Sequence, residues 1–374
     1  SGTVRGLAAT RSSTGARLNA NSSAARAYTG YLDRQRSAVL ARVGAVNVLH
    51  TYSTTFSGFA AVLTEAQAAQ LMTDREVKSV VPSERREMDT TRTSEFLGLT
   101  APGGLYSQLD AQSRNVKGEG IVIGVVDSGI WPESPAFGDK VDAAGKPVAY
   151  HQAGTLVYGP PPAGWAGACI AGEGFTAAMC GNKLIGARYY NADFTASGAV
   201  RVALEYLSPR DGASSGHGSH TASTSGGNER VDIVNASGVI TAVMGGIAPR
   251  ARIAAYKVCW TATVSAQTGC YTADMLRAID DAVTDGVDVI NFSISGTQLN
   301  FNDPVETAFL NATVAGVFVA ASAGNSGPGN QVAHMSPWLT TVGASTHDRN
   351  PGGGDLRLGN ATVYSGFSLN YLAA

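Results

Sequence analysis

Four apolar runs of strand length, spaced far enough apart for helices between them, constrain this chain more than any other feature. They span residues 120–126, 252–258, 287–294 and 317–321. A strand with one wet face alternates apolar and polar residues, so one that is apolar throughout is covered on both sides. Between the second and third runs, residues 272–284 carry Met275, Leu276, Ile279, Ala282 and Val283 on one stripe, with Gly286 just past the end. Between the third and fourth, Asp303-Pro304-Val305-Glu306 opens a helix with a cap, a proline at the first position and an acid at the third, and Gly316 closes it. Strand–helix–strand at these spacings predicts an α/β fold on a parallel sheet covered on both faces.

Ahead of this region lies a smaller unit. Residues 1–24, rich in Ser, Ala, Arg and Asn, read as a flexible leader. A helical pattern follows over 31–43, then strand-like segments over 46–52 and 56–63 joined by Ser53-Thr54-Thr55. A second helix starts at Thr64, and residues 77–82 read as a closing edge strand. With an initial strand near 27–30, the order β-α-β-β-α-β suits a small α+β, ferredoxin-like plait. Residues 90–118 read as a connector with a short helix.

Composition narrows the function classes. Hydrophobic residues make up 44% of the 374 and charged ones 15%, which excludes a disordered chain. Lys+Arg 27 against Asp+Glu 29 leaves a net charge of −2, so no nucleic-acid partner held by bulk charge is expected. No apolar run is long enough to cross a membrane. The four cysteines, Cys169, Cys180, Cys259 and Cys270, allow three pairings. The local one, Cys169 with Cys180 and Cys259 with Cys270, closes two short loops; four buried free thiols in a reducing compartment are the alternative. No C-x-x-C spacing points to a metal. Ser1 is not a start methionine and no charged-then-apolar leader precedes it, so any export signal is expected to have been removed.

Three segments carry chemistry. Asp127 ends the run 121–126, where an acid is costly to bury unless paired. In Gly216-His217-Gly218-Ser219-His220 the flanking glycines leave the His217 ring open to a cleft. His217 and His220 are three apart, but no H-E-x-x-H accompanies them, so one catalytic and one structural histidine is the better reading than zinc. Asn325, in Ala323-Gly324-Asn325-Ser326-Gly327, follows a buried run. Taken alone, Asp127 reads equally as an acid capping a turn, and Asn325 more readily as a left-handed turn residue. Together, beyond the carboxyl ends of one sheet, they supply an acid to orient an imidazole, an imidazole to move a proton, and an amide to hold an oxyanion.

The segments Val125-Val126-Asp127-Ser128-Gly129-Ile130-Trp131-Pro132-Glu133-Ser134, Gly216–Ala222 and Ala321–Gly327 resemble the Asp, His and oxyanion-Asn motifs of the subtilisin-like serine proteases. The likeness is greatest to the cucumisin-like branch, which carries an inserted protease-associated domain, and it extends over most of residues 50–370. Cys180-Gly181-Asn182-Lys183-Leu184-Ile185-Gly186-Ala187-Arg188 and Thr341-Val342-Gly343-Ala344-Ser345-Thr346 are further matching stretches. The resemblance implies a secreted serine endopeptidase acting on polypeptides, with Asp127 orienting, His217 as general base and acid, and Asn325 as oxyanion donor. It implies that Ser293, Ile294 and Ser295 pair with an extended substrate, with Ala323 and Gly324 in another wall of the pocket. His50, Tyr52, Phe56, Gly58 and Phe59 resemble the family's inhibitory propeptide, and Thr90-Thr91-Arg92 its mature start. Cleavage is thus expected between Asp89 and Thr90, with residues 86–89 left in the nonprimed subsites.

On this likeness residues 25–89 are the propeptide, 90–369 the N-terminal part of the catalytic domain, and 370–374 the start of the protease-associated insertion. No cofactor is required. Calcium sites are frequent in relatives, but no acidic loop here is specific enough to assign one. The family's Gly-Thr-Ser-[Met/His/Ala] segment, which holds the nucleophile, does not occur in this sequence. A C-terminal companion polypeptide is therefore expected to bring the serine. The competing expectation is a catalytically inactive inhibitor or binding assembly.

Overall fold

The computed structural model describes residues 19–54, 57–80, 85–86, 97–212, 215–234, 240–327, 329, 331–344, 354–357 and 363–366. In chain order, the N-terminal unit contains α1 (Ser23–Val43), β1 (Asn47–Tyr52), β2 (Gly58–Val62) and α2 (Glu65–Thr73), followed by the short β3 (Arg85–Arg86). The larger unit opens with β4 (Val122–Asp127). A three-stranded excursion of β5 (Lys140–Val141), β6 (Pro147–Val148) and β7 (Thr155–Leu156) comes next. Then follow β8 (Leu184–Tyr189), α3 (Ala192–Ala196), α4 (His217–Gly226), β9 (Val231–Val234), β10 (Ile240–Met244), β11 (Arg252–Lys257), β12 (Cys259–Trp260) and β13 (Gly269–Tyr271). The rest comprises α5 (Thr272–Asp285), β14 (Val289–Phe292), α6 (Pro304–Val314), β15 (Phe318–Ser322), β16 (Thr340–Val342) and a hairpin of β17 (Gly354–Arg357) and β18 (Val363–Gly366).

The expected parallel sheet forms. Six strands lie in the order β16-β15-β14-β4-β11-β8, every neighbouring pair parallel. β4 is central and apolar because it is covered twice. Ile123 and Val125 face a cluster with Ala222 of α4, Ile253 and Ala255. Val122 and Val126 face the opposite cluster, with Met275 and Ile279 of α5 and Phe309 of α6. The chain leaves β4 toward β8 and β11 and later crosses to β14 on its other side. The carboxyl ends of β11, β4 and β14 thus flank a topological switch point, where open sheets of this kind place their sites. β16 pairs on one side only among the described residues, and its Val342 and Phe318 of β15 are exposed.

In the N-terminal unit the α-β-β-α centre of the expected plait forms, and among the described residues the outer strands expected at 27–30 and 77–80 do not. Residues 27–30 are helical, because Ala24-Ala25-Arg26-Ala27 favours helix and the Ser22 side chain caps α1 by accepting from Ala25 N–H at 3.1 Å. The helix therefore begins inside the segment read as leader; residues 1–18 lie outside the described residues. Residues 77–80 form no ladder, and 81–82 also lie outside. Val77 and Val80 instead pack as apolar anchors against Val39, Val43 and Leu71. The second helix starts as expected, with Thr64 and Gln67 forming a reciprocal capping box. The antiparallel pair β1 with β2 is held from behind by Arg36 of α1, whose guanidinium donates to the Tyr52 carbonyl at 2.7 Å.

Both disulfides form in the local pairing, Cys169–Cys180 and Cys259–Cys270, each across a sequence separation of 11. A non-reducing peptide map is expected to recover these two linkages, and a scrambled pairing would contradict the fold. By loop entropy, replacing either pair with serine costs about 2–3 kcal/mol in denaturant unfolding.

Candidate active site

Asp127 is the last residue of β4 and is only 1% exposed. Its Oδ1 accepts from the Ser128 backbone N–H at 2.6 Å and lies 2.8 Å from His217 Nδ1; its Oδ2 lies 3.0 Å from the same nitrogen. His217 opens α4, and Thr221, one turn later on the same helix face, donates its hydroxyl to Asp127 Oδ2 at 3.1 Å. Burial pushes the Asp127 carboxyl above its ordinary value, against the pull of the His217 hydrogen bond and charge. With Nδ1–H directed at the carboxylate, Nε2 is left as the basic nitrogen of the ring. The second histidine, His220, is held below its ordinary value by burial and then by the neighbouring His217.

The start of α4 is secured without a side chain at its own cap, since that position is Gly216. Ser128 Oγ accepts from Gly218 N–H at 2.7 Å and donates to Asp211 Oδ1 at 2.8 Å. Asp211 Oδ2 in turn accepts from the Ser219 N–H and hydroxyl at 2.9 and 2.7 Å. An acid supplied from another loop thus satisfies the orphan N–H groups at the positive end of the helix. The approach is close: a Cβ on Gly218 would sit 2.3 Å from the Gly129 carbonyl oxygen. A cation also reaches this end of the sheet, but Lys257 of β11 is engaged by Glu205, 2.5 Å away, rather than by Asp127. Sequence reasoning quoted Ser128 and Thr221 only within the matching motif segments, without a role, and missed Asp211.

The other expected residues gather at the same carboxyl end. Ser293, Ile294 and Ser295 follow β14, and Ala323 and Gly324 follow β15; the two strands pair up to Phe292 opposite Ala321. Ser322 Oγ reaches the Ile294 carbonyl at 3.5 Å. Asn325 lies exposed in the bend after β15, and among the described residues no hydrogen bond ties it to the Asp127–His217 pair.

An extended segment also occupies an edge that sequence reasoning did not name. β3 adds antiparallel to β13, Arg86 opposite Cys270 and Arg85 opposite Tyr271, in the three-stranded order β12-β13-β3. Asp89 and Thr90 lie outside the described residues. Farther back, the N-terminal unit docks on α5. His50 Nε2 lies 2.7 Å from Asp274 Oδ1, the Tyr52 hydroxyl donates to the Ala273 carbonyl at 2.9 Å, and Thr54 N–H donates to Asp280 Oδ1 at 3.0 Å. Asp274 also accepts from the N–H groups of Ala192, Asp193 and Phe194 at the start of α3.

A doubly covered parallel sheet carries a buried acid–imidazole pair at its switch point, and a small N-terminal unit precedes a strand that adds near that end. Residues 118–368 match the subtilase family and residues 11–89 match peptidase inhibitor I9, so the chain belongs to the subtilase family. Among curated proteins, subtilisin-like protease SBT1.5 of Arabidopsis thaliana is 42% identical over 86% of this chain and 38% of its own length. Subtilisin-like protease SBT1.6 of the same plant is 41% identical over 86% of this chain and 40% of its own. The chain spans about two fifths of the length of these relatives.

The raised Asp127 carboxyl carries a stability consequence. An acid that holds its proton more tightly folded than unfolded favours the native state in acid, and that benefit is lost as pH rises from the ordinary carboxylate value through the folded one. Asp127→Asn, which never ionises, is therefore expected to melt at or above wild type at pH 7, with the gap closing below about pH 4. A variant that melts lower at pH 7 than at pH 4, relative to wild type, contradicts the assignment.

Proposed function

We propose that the complete protein containing this chain is a secreted serine endopeptidase, with residues 25–89 as its inhibitory propeptide. The observation that carries this reading is the contact of the buried Asp127 carboxylate with Nδ1 of His217 at 2.8 Å. In the proposed reaction, His217 Nε2 takes the proton of a serine hydroxyl as that oxygen attacks the scissile carbonyl. Asp127 holds the ring in the tautomer that allows this and stabilises the imidazolium that forms. Asn325 donates its amide N–H to the oxygen on which charge develops, and His217 returns the proton to the leaving amine. Thr221 and Ser128 keep the acid aimed, and Asp211 keeps α4 in place.

Residues 293–295 and β13 flank the path of an extended polypeptide, and the strand Arg85–Arg86 marks how such a segment adds to β13. Residues 25–89 act as propeptide, with cleavage between Asp89 and Thr90, and residues 90–369 as catalytic polypeptide. The nucleophilic serine comes from a stretch of polypeptide outside residues 1–374. The one-sided pairing of β16 among the described residues and the exposure of Val342 and Phe318 support docking of further chain there. Two disulfides fit an oxidising compartment outside the cytosol.

A fluorophosphonate probe applied to the complete, processed protein is expected to label a serine on a peptide outside residues 1–374. N-terminal sequencing of the processed form is expected to begin at Thr90. A folded, processed sample that takes no label would support an inactive binding assembly instead. In the active protein, Asp127→Asn lowers kcat by about four orders of magnitude. Asn325→Ala lowers it by about 10²–10³, a magnitude taken from this family. Wild-type turnover in either variant would refute the role given to that residue.

A further inference from the structure

Beneath the 293–295 segment lies a buried pair that the reaction does not use. Glu306 of α6 and His334 are both 0% exposed, with His334 Nδ1 2.5 Å from Glu306 Oε1. At the far side of the ring, His334 Nε2 lies 2.9 Å from the Ile294 carbonyl oxygen. A carbonyl can only accept, so Nε2 carries a proton. A second proton must then lie between Nδ1 and Oε1, whichever atom holds it. The ring is a connected donor reaching from helix α6 to the middle of the segment.

Three further observations mark this as a built arrangement. His334 has φ +55°, a left-handed backbone that is uncommon for a residue with a side chain and is kept where its surroundings fix it. Here they do: its N–H donates to the Thr297 carbonyl at 3.0 Å, its own carbonyl accepts from Thr341 Oγ1, and its ring lies edge-on to Phe292 and Phe309. Gly296 leaves the space the ring needs, since a Cβ there would fall 2.1 Å from His334 Cε1. Glu306 is also diverted from the role its position suggests, because as the acid of the first turn it would ordinarily face the helix N–H groups.

We propose that His334 and Glu306 are positioning residues for peptide binding. By holding the Ile294 carbonyl inward, they turn the backbone groups of Ser293 and Ser295 toward the substrate. Successive residues of an extended segment present opposite sides, so fixing the central carbonyl fixes both neighbours. This rests on the protease reading above. It goes beyond that reading in assigning the orientation of the substrate edge to a proton-sharing pair remote from the reacting atoms.

The test uses the complete protease, an extended peptide substrate, and p-nitrophenyl acetate, which is too small to use the edge. His334→Asn tolerates a left-handed backbone but is too short to reach the Ile294 carbonyl. It is expected to raise the peptide KM roughly tenfold, the scale of one lost hydrogen bond, with ester turnover within about twofold of wild type. Glu306→Gln can donate its amide N–H to Nδ1, which preserves the Nε2 donor, and is expected to keep the peptide KM within about twofold. Equal effects of His334→Asn on peptide and ester, no effect on either, or a Glu306→Gln variant as impaired as His334→Asn would overturn the proposal. Should His334→Asn fail to fold, Glu306→Ala, which leaves Nδ1 without its partner, replaces it. A higher peptide KM than Glu306→Gln then supports the proposal and an equal one overturns it. A wild-type protein inactive on both substrates would instead sink the protease reading itself.

Discussion

A carboxylate removed from water at the end of a doubly covered strand is the interaction on which the rest of this structure depends. Burial alone would drive Asp127 toward its neutral form. Donors from three sources oppose this: its own next backbone N–H, the imidazole of His217 and the hydroxyl of Thr221. Two of the three come from α4, so the acid is tolerable only while that helix is seated. The seat is provided by Asp211 and Ser128, which satisfy the first N–H groups of the helix, and by the glycine-to-glycine approach at Gly218. Strand, helix and acid are therefore mutually dependent, and a pair this buried keeps one geometry.

The N-terminal unit engages the larger one by the same chemistry, at helix ends. Asp274, near the start of α5, accepts from the first N–H groups of α3, and Asp193 of α3 accepts from Ala273 N–H of α5. This reciprocal capping makes a compact polar platform, and His50 of β1 adds its ring to it. Asp280, two turns down α5, receives the backbone N–H of Thr54. Directional polar contacts with α5 thus set the register of docking, and the strand Arg85–Arg86 continues from there to β13.

Much of this was legible in one sequence because the signals were local. Unbroken apolar runs indicated the parallel sheet, the acid at a strand end marked Asp127, and the flanking glycines marked His217. What was lost had other causes. Residues 27–30 read as a strand only because a plait wanted one, whereas the alanine-rich stretch behind Ser22 prefers helix. The valine-rich stretch from Val77 read as an edge strand, but Val77 and Val80 serve as anchors for a cluster with Leu71. β13 is three residues long, too short for any pattern, and its importance comes from what pairs with it. Glu306 and His334 stand 28 positions apart and meet only when α6 packs under β14. No window of sequence contains that encounter.

The Cys259–Cys270 bond has a further consequence for recognition. It joins β12 to the side of β13 facing away from the arriving strand, at the residue that sits opposite Arg86. An edge that must order itself on each encounter spends part of its binding energy on lost conformational freedom; an edge tied covalently along its back does not. The host strand is thus preorganised for its pairing with Arg85–Arg86.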